Sequence, residues 1–319
     1  MAQWVLGQVC RSWRAVALAT TDLWTKIDLS WTRTPSNISP ERALLLEPVL
    51  ALQLQRCRER PITFSYRSDE DRKERLALLL CSRSLQWENV SIVGESRAFA
   101  PLRQYHGLFP LLKTLHVGFL EDNWAGDSVL SAFDKLSSLE HLVIAGEAQP
   151  LIRQGNQFSW EAILHYTTVH ANGWIPDLAD HYRVLPRLVN VQTCVLDTCF
   201  PDVPTADLPP SPTLELSFLH TLVLKQTAML SMPAIAPLLR WLVLPALRIL
   251  RLPSGFNCPA TLASFLNRFH CSLEELTILN MEDWVLNGVA VDDLIRVLKA
   301  PSLHTIYVGH RCLGIGPGG

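Results

Sequence analysis

Hydrophobic positions along the chain recur in a six-residue pattern, apolar-x-x-apolar-x-apolar. It is clear in Leu112-Lys113-Thr114-Leu115-His116-Val117 and again at 139–144, 219–224, 247–252, 273–278 and 303–308. Weaker copies lie at 87–92, 163–168 and 191–196, and two earlier segments, 24–29 and 61–66, read the same way, for up to eleven units. The last two apolar positions are two residues apart, so both point to one side of a strand while the residue between them points to the other. Each copy is therefore a predicted strand with one face in a core.

From residue 87 onward the copies begin 24 to 30 residues apart. The stretch between strands must carry the chain back to start a parallel neighbour, which usually takes a helix. Residues 38–60 place Leu44, Leu45, Val49, Leu52 and Cys57 at helical spacing, with Ser39 as N-cap and Pro40 at the first helical position. Helices are likewise predicted over 69–84, 127–136, 176–185, 233–242, 259–269 and 292–299. Prolines at 201, 204, 209, 210 and 212 instead predict an extended loop.

The fold class that follows is α/β. The pattern and its period resemble leucine-rich repeats, whose units run about 20 to 29 residues. The expected architecture is an irregular leucine-rich-repeat solenoid over residues 25–311, a horseshoe with a parallel concave sheet and convex helices. Each unit would bury two or three aliphatic side chains, worth roughly 1.5 to 3 kcal/mol apiece. No unit buries its face alone, so stability depends on neighbours.

Composition narrows the function classes. Hydrophobic residues make up 48% and charged residues 18%, which argues against a disordered chain. A formal net charge of −2 supplies no basic face for nucleic acid. The mixed charges at 67–76 read as a solvated helix face. The longest apolar region, 228–250, is interrupted by Pro233, Pro237, Arg240, Pro245 and Arg248, so no membrane partner is expected. With no secretory signal pattern, the expected location is cytoplasmic and/or nuclear, with reduced cysteines and unused sequons at Asn37 and Asn89.

At the N-terminus a helix is predicted from about Trp4 to Ala19. Val5, Val9, Trp13 and Val16 fall at i, i+4, i+8 and i+11, with Leu6, Cys10 and Ala17 one position round. Leu23-Trp24 then leads into the first strand. The matched positions Val9, Cys10, Arg11, Trp13, Arg14, Val16, Ala17, Leu23 and Trp24 resemble the C-terminal part of an F-box, with its Val-Cys-basic-x-Trp-basic-x-Val-Ala run followed by Leu-Trp. Set before repeats, this makes the whole chain similar to fungal-type F-box and leucine-rich-repeat proteins.

The resemblance implies a substrate-recognition subunit of a cullin-based ubiquitin ligase. Residues 1–24 would be an N-terminally incomplete F-box, because the opening Leu-Pro helix of the family has no counterpart here. Leu6, Val9, Cys10 and Trp13 would dock on a Skp-family adaptor, and the repeats would hold a target protein. The alternative is a repeat scaffold with no ligase role.

No chemistry is expected on the chain itself. Gly94-Glu95-Ser96-Arg97-Ala98 follows a strand as a nucleophile elbow would, but its second glycine is missing. His165 with His170, Cys194 with Cys199, and Cys258 with His270 and Cys271 lack paired metal-ligand spacing. Neither a metal nor a cofactor is expected. The glycines of 314–319 precede no helix, and 312–319 reads as a flexible tail. The residues between core positions are the candidates for target contact: His116, His141, Lys225, Arg251, Glu275 and Tyr307, among neighbours that include Thr114, Val143, Thr221, Val223, Ile249 and Thr277.

Overall fold

The computed structural model describes residues 2–30, 40–68, 74–105, 107–119, 130–134, 136–146, 158–169, 178–197, 213–225, 235–253, 262, 264–266, 268, 272–278, 305–308 and 311–314. The chain divides into two compact units, Met1–Ala162 and Ile163–Gly319. Each is α/β and built on parallel strands.

In the first unit, β1 (Lys26–Leu29), β2 (Ile62–Ser68), β3 (Trp87–Gly94), β4 (Thr114–Phe119) and β5 (His141–Gly146) lie side by side in chain order. The repeated apolar positions stack across them: Ile27, Phe64, Val90, Leu115 and Leu142 form one row, and Leu29, Tyr66, Ile92, Val117 and Ile144 the next. All ten are buried. The core also carries an aromatic series, Phe64–Trp87, Trp87–Phe109 and Phe109–Phe133, with ring centroids 4.8, 4.9 and 5.1 Å apart.

The second unit repeats the arrangement with β6 (His165–Val169), β7 (Thr193–Asp197), β9 (Thr221–Lys225), β11 (Ile249–Leu252), β12 (Glu275–Ile278) and β13 (Thr305–Val308). Tyr166, Cys194, Leu222, Leu250, Leu276 and Ile306 share one row. The step from strand to strand is regular. Gln192 O accepts from the amides of His220 and Thr221, His220 O from those of Arg248 and Ile249, and Arg248 O from those of Glu274 and Glu275, all within 3.1 Å. Two short strands, β8 (Leu214–Glu215) and β10 (Leu242–Val243), pair separately.

β14 (Arg311–Gly314) runs antiparallel to β13, with Cys312 opposite Tyr307 and Leu313 opposite Ile306. Residues 312–314, expected as flexible tail, are thus strand: Leu313 stands opposite Ile306, and the ladder to β13 pairs the backbone groups on that side.

Helices connect the strands of the first unit. α3 (Pro40–Cys57) joins β1 to β2, and α4 (Glu74–Cys81) precedes β3. Helices at Leu178–Val184 and Ile235–Trp241 also fall where periodicity predicts them. Within the helix expected over 127–136, of which 127–129 and 135 lie outside the described residues, Leu130–Phe133 is a 3-10 turn, and Ser96–Tyr105 is a 3-10 segment interrupted by Pro101. The expected helix at 292–299, the N-cap Ser39 and the proline loop at 201–212 lie outside the described residues.

The single N-terminal helix expected from Trp4 to Ala19 is two helices, α1 (Ala2–Val9) and α2 (Arg11–Ala19). Cys10 breaks it. Its backbone is extended, at φ −157° and ψ 173°, and its Sγ accepts a hydrogen bond from Trp13 N at 3.5 Å. Cys10 is the N-cap of α2, so the apolar stripe crosses a helix junction.

The boundary expected at 24/25 falls inside the first unit, and Trp24 is the reason. Its indole Nε1–H donates to Ala17 O at 2.8 Å, tying the end of α2 to the start of β1. Trp87 repeats the device, donating to Leu80 O at 3.1 Å from the start of β3. Arg56 of α3 lies over the Trp24 ring at 4.3 Å and the Trp4 ring at 5.0 Å.

α3 also closes one side of the sheet. Gln53 is buried, and its amide nitrogen donates to Trp24 O at 3.1 Å and Lys26 O at 3.0 Å. Thr25 O instead accepts from Thr63 N of β2, so the two capped carbonyls face away from that neighbour. The edge of β1 is covered by a side chain where another strand would pair.

Candidate functional site

The expected adaptor-docking residues sit on α1 and α2. Val5 and Val9 are each 62% exposed, Trp13 is 52% exposed and Val16 is 58% exposed. Cys10 is exposed as well, and the Leu6 side chain lies outside the described residues. α2 buries only Ala17. By contrast, α4, which stands in the same relation to its tryptophan, buries Leu76, Ala77, Leu80 and Cys81. Packing among the described residues therefore accounts for the apolar side of α4 and not for that of α2.

The sheet face opposite the core presents the residues between the repeated apolar positions. In the first unit they form two rows across the strands. Lys26, Thr63, Asn89, Thr114 and His141 make one row, and Asp28, Ser65, Ser91, His116 and Val143 make the other. Neighbours in a row are about 4.8 Å apart. His116 and His141 thus lie on adjacent strands but one alternate step out of line, and the register does not pair them.

Polar contacts run along these rows. Asn89 Nδ2 donates to Thr63 Oγ1 at 3.2 Å, and Ser91 Oγ meets His116 Nδ1 at 3.0 Å. Asp28 accepts from Ser30 N at 2.9 Å and Ser30 Oγ at 2.6 Å, bonds that hold its carboxyl below the ordinary carboxylate range. Burial lowers the His116 pKa, favouring the neutral imidazole. Its Nε2 is shielded from solvent with no hydrogen-bond partner among the described residues.

These rows floor a cavity of about 550 Å³. Its floor includes Lys26, Asp28, Thr63, Ser65, Asn89, Ser91, Thr114 and His116, and its apolar wall is Leu46, Val49 and Leu50 of α3 with Trp4 of α1. Of the floor residues, Thr114 and His116 alone were expected to face a ligand. The others occupy the same between-core positions in the earliest copies, which is the signal that could have found them.

In the second unit the same face is more self-contained. Arg251 Nε donates to Glu275 Oε1 at 3.1 Å, and Thr277 Oγ1 donates to that oxygen at 3.1 Å. Two expected target contacts therefore satisfy each other. Val223 and Thr277, expected on the open face, are buried. Lys225 is exposed and stands opposite Asp197, while Tyr307 stands opposite Thr277, its side chain outside the described residues.

Ser96 opens the 3-10 segment after β3, with its side chain outside the described residues. Burial pushes the Cys57 and Cys81 thiols up to about 11 and about 12, and raises Cys194 too, so none of the three is a ready nucleophile. Among the described residues no cluster of three or more His, Cys, Asp or Glu is placed to hold a metal. None of their helices is long and apolar enough to cross a membrane.

No protein-family model matches the chain, and no curated protein matches it.

Proposed function

We propose that this chain is an adaptor-type interaction protein, a substrate-recognition subunit of the cullin-based ubiquitin-ligase class. In this reading α1 and α2 dock on a Skp-family adaptor, and a target protein binds the concave sheet face of a leucine-rich-repeat horseshoe. The chain performs no chemistry; it brings a target to partners that do.

One observation carries the docking half. α2 is anchored from below by the Trp24–Ala17 bond, yet leaves Trp13, Val16 and Leu18 in solvent. Exposed aromatic and aliphatic side chains on a fixed helix are the usual anchors of a protein interface. Trp13 and Val16 are among the residues that carry the F-box resemblance, and Leu18 lies beside them. The in-register apolar rows and their 24 to 30 residue period support the repeat half.

Co-purification with a Skp-family adaptor tests the reading. The chain should bind it, and Trp13→Asp should abolish binding while circular dichroism and unfolding stay unchanged, because Trp13 supports no core. Failure to bind by the unmodified chain, and again after upstream sequence is restored, overturns the ligase role. Target capture without adaptor binding would then leave a repeat scaffold.

A further inference from the structure

We infer that the first unit holds a binding site for a small amphipathic monocarboxylate, with the acid group over Lys26, Thr63 and Asn89 and the apolar body against Leu46, Val49 and Trp4. The inference goes beyond the proposed docking role and does not depend on it.

The cavity has the size of a small-molecule site, about 300 to 1,000 Å³. It is also two-sided, with a hydrogen-bonding floor from the strands and an aliphatic and aromatic wall from the helices. A wholly polar ligand would waste the wall, and a wholly apolar one would strip the floor of water without replacing its hydrogen bonds. An amphipathic occupant satisfies both.

Charge selects the head group. Asp28 is already served by two hydrogen bonds from Ser30. Lys26 is exposed on the same strand face and has no ion-pair partner among the described residues. The cavity thus carries one charge of each sign, the Asp28 carboxylate held by Ser30 and the Lys26 ammonium left to meet an anionic group. Beside Lys26 in register stands Thr63, whose hydroxyl accepts from Asn89 and so keeps its own hydrogen to donate. Asn89 retains a second amide hydrogen. An ammonium flanked by neutral donors matches a single negative charge with two oxygens, whereas a doubly charged phosphate would call for further cations.

The full chain can be titrated by calorimetry and ligand-observed NMR with 4-phenylbutyrate, its primary amide and 4-phenylbutylamine. The acid should bind with a Kd below roughly 1 mM, and the amide at least about tenfold more weakly. Lys26→Met should weaken the acid by about tenfold, and Val49→Glu should do so by a similar factor. Both sites are solvent-accessible, so each variant should keep the unmodified chain's circular dichroism. Trp13→Asp should leave acid binding unchanged, which separates this site from adaptor docking. Tighter binding of the amine, equal binding of all three probes, no binding of the acid, or unaltered binding by Lys26→Met would each overturn the inference.

Discussion

Helices α2 and α4 precede equivalent strands, and each ends in a backbone carbonyl held by a tryptophan seven residues on, Ala17 by Trp24 and Leu80 by Trp87. α4 turns four side chains into the core, while α2 turns in Ala17 alone and leaves Trp13, Val16 and Leu18 exposed. Two helices in matching surroundings thus differ in what their apolar residues are for. Core packing explains one of them. Among the described residues, nothing covers the apolar side chains of the other.

The comparison can be broken most forcefully at the core. Leu80→Ala in α4 should cost about 2 to 5 kcal/mol, whereas Val16→Ala in α2 should stay within about 0.5 kcal/mol, both read by denaturant unfolding. A large loss from Val16→Ala would show that α2 packs as α4 does. Next, Trp24→Phe removes the indole donor of the Ala17 carbonyl and should cost about 1 to 3 kcal/mol, whereas Trp87→Phe should cost less, because Arg83 N also donates to Leu80 O at 3.0 Å. A loss from Trp87→Phe as large as that from Trp24→Phe would show that the Arg83 amide does not hold the Leu80 carbonyl on its own.

The smallest effect on stability is the most informative about function. Leu18→Lys and Leu78→Lys replace exposed leucines on α2 and α4, and both should fall within about 0.5 kcal/mol of the unmodified chain. Adaptor binding measured on the same samples should drop for Leu18→Lys and hold for Leu78→Lys. Equal retention by both would remove α2 from the interface.

The apolar rows were legible in the sequence because burial repeats at fixed offsets. Ile27, Phe64, Val90, Leu115 and Leu142 all obey the same spacing, and even Tyr166 and Cys194 fill a core position where the motif is weak. The break at Cys10 was not legible. No glycine or proline marks it, and apolar periodicity runs through it undisturbed; the cap geometry depends on one sulfur and one amide.

The same contrast holds for the sites. His116, Arg251 and Glu275 follow from alternation along single strands, but the pairing of Arg251 with Glu275 appears only when the strands align. The cavity needs more still, since Leu46, Val49 and Trp4 reach the floor only through the way α3 and α1 pack around β1. Such tertiary placement leaves no periodic trace in the chain.

Gln53 has a bearing beyond its two hydrogen bonds. An unguarded strand edge is a template on which any extended segment, including one from another copy of the same protein, can lay itself down and propagate. By occupying the outward carbonyls of Trp24 and Lys26, Gln53 denies that template its first rungs. One amide side chain thereby protects a crowded solution of this protein against sheet growth from β1, a safeguard on colloidal behaviour carried inside a helix that also walls the cavity.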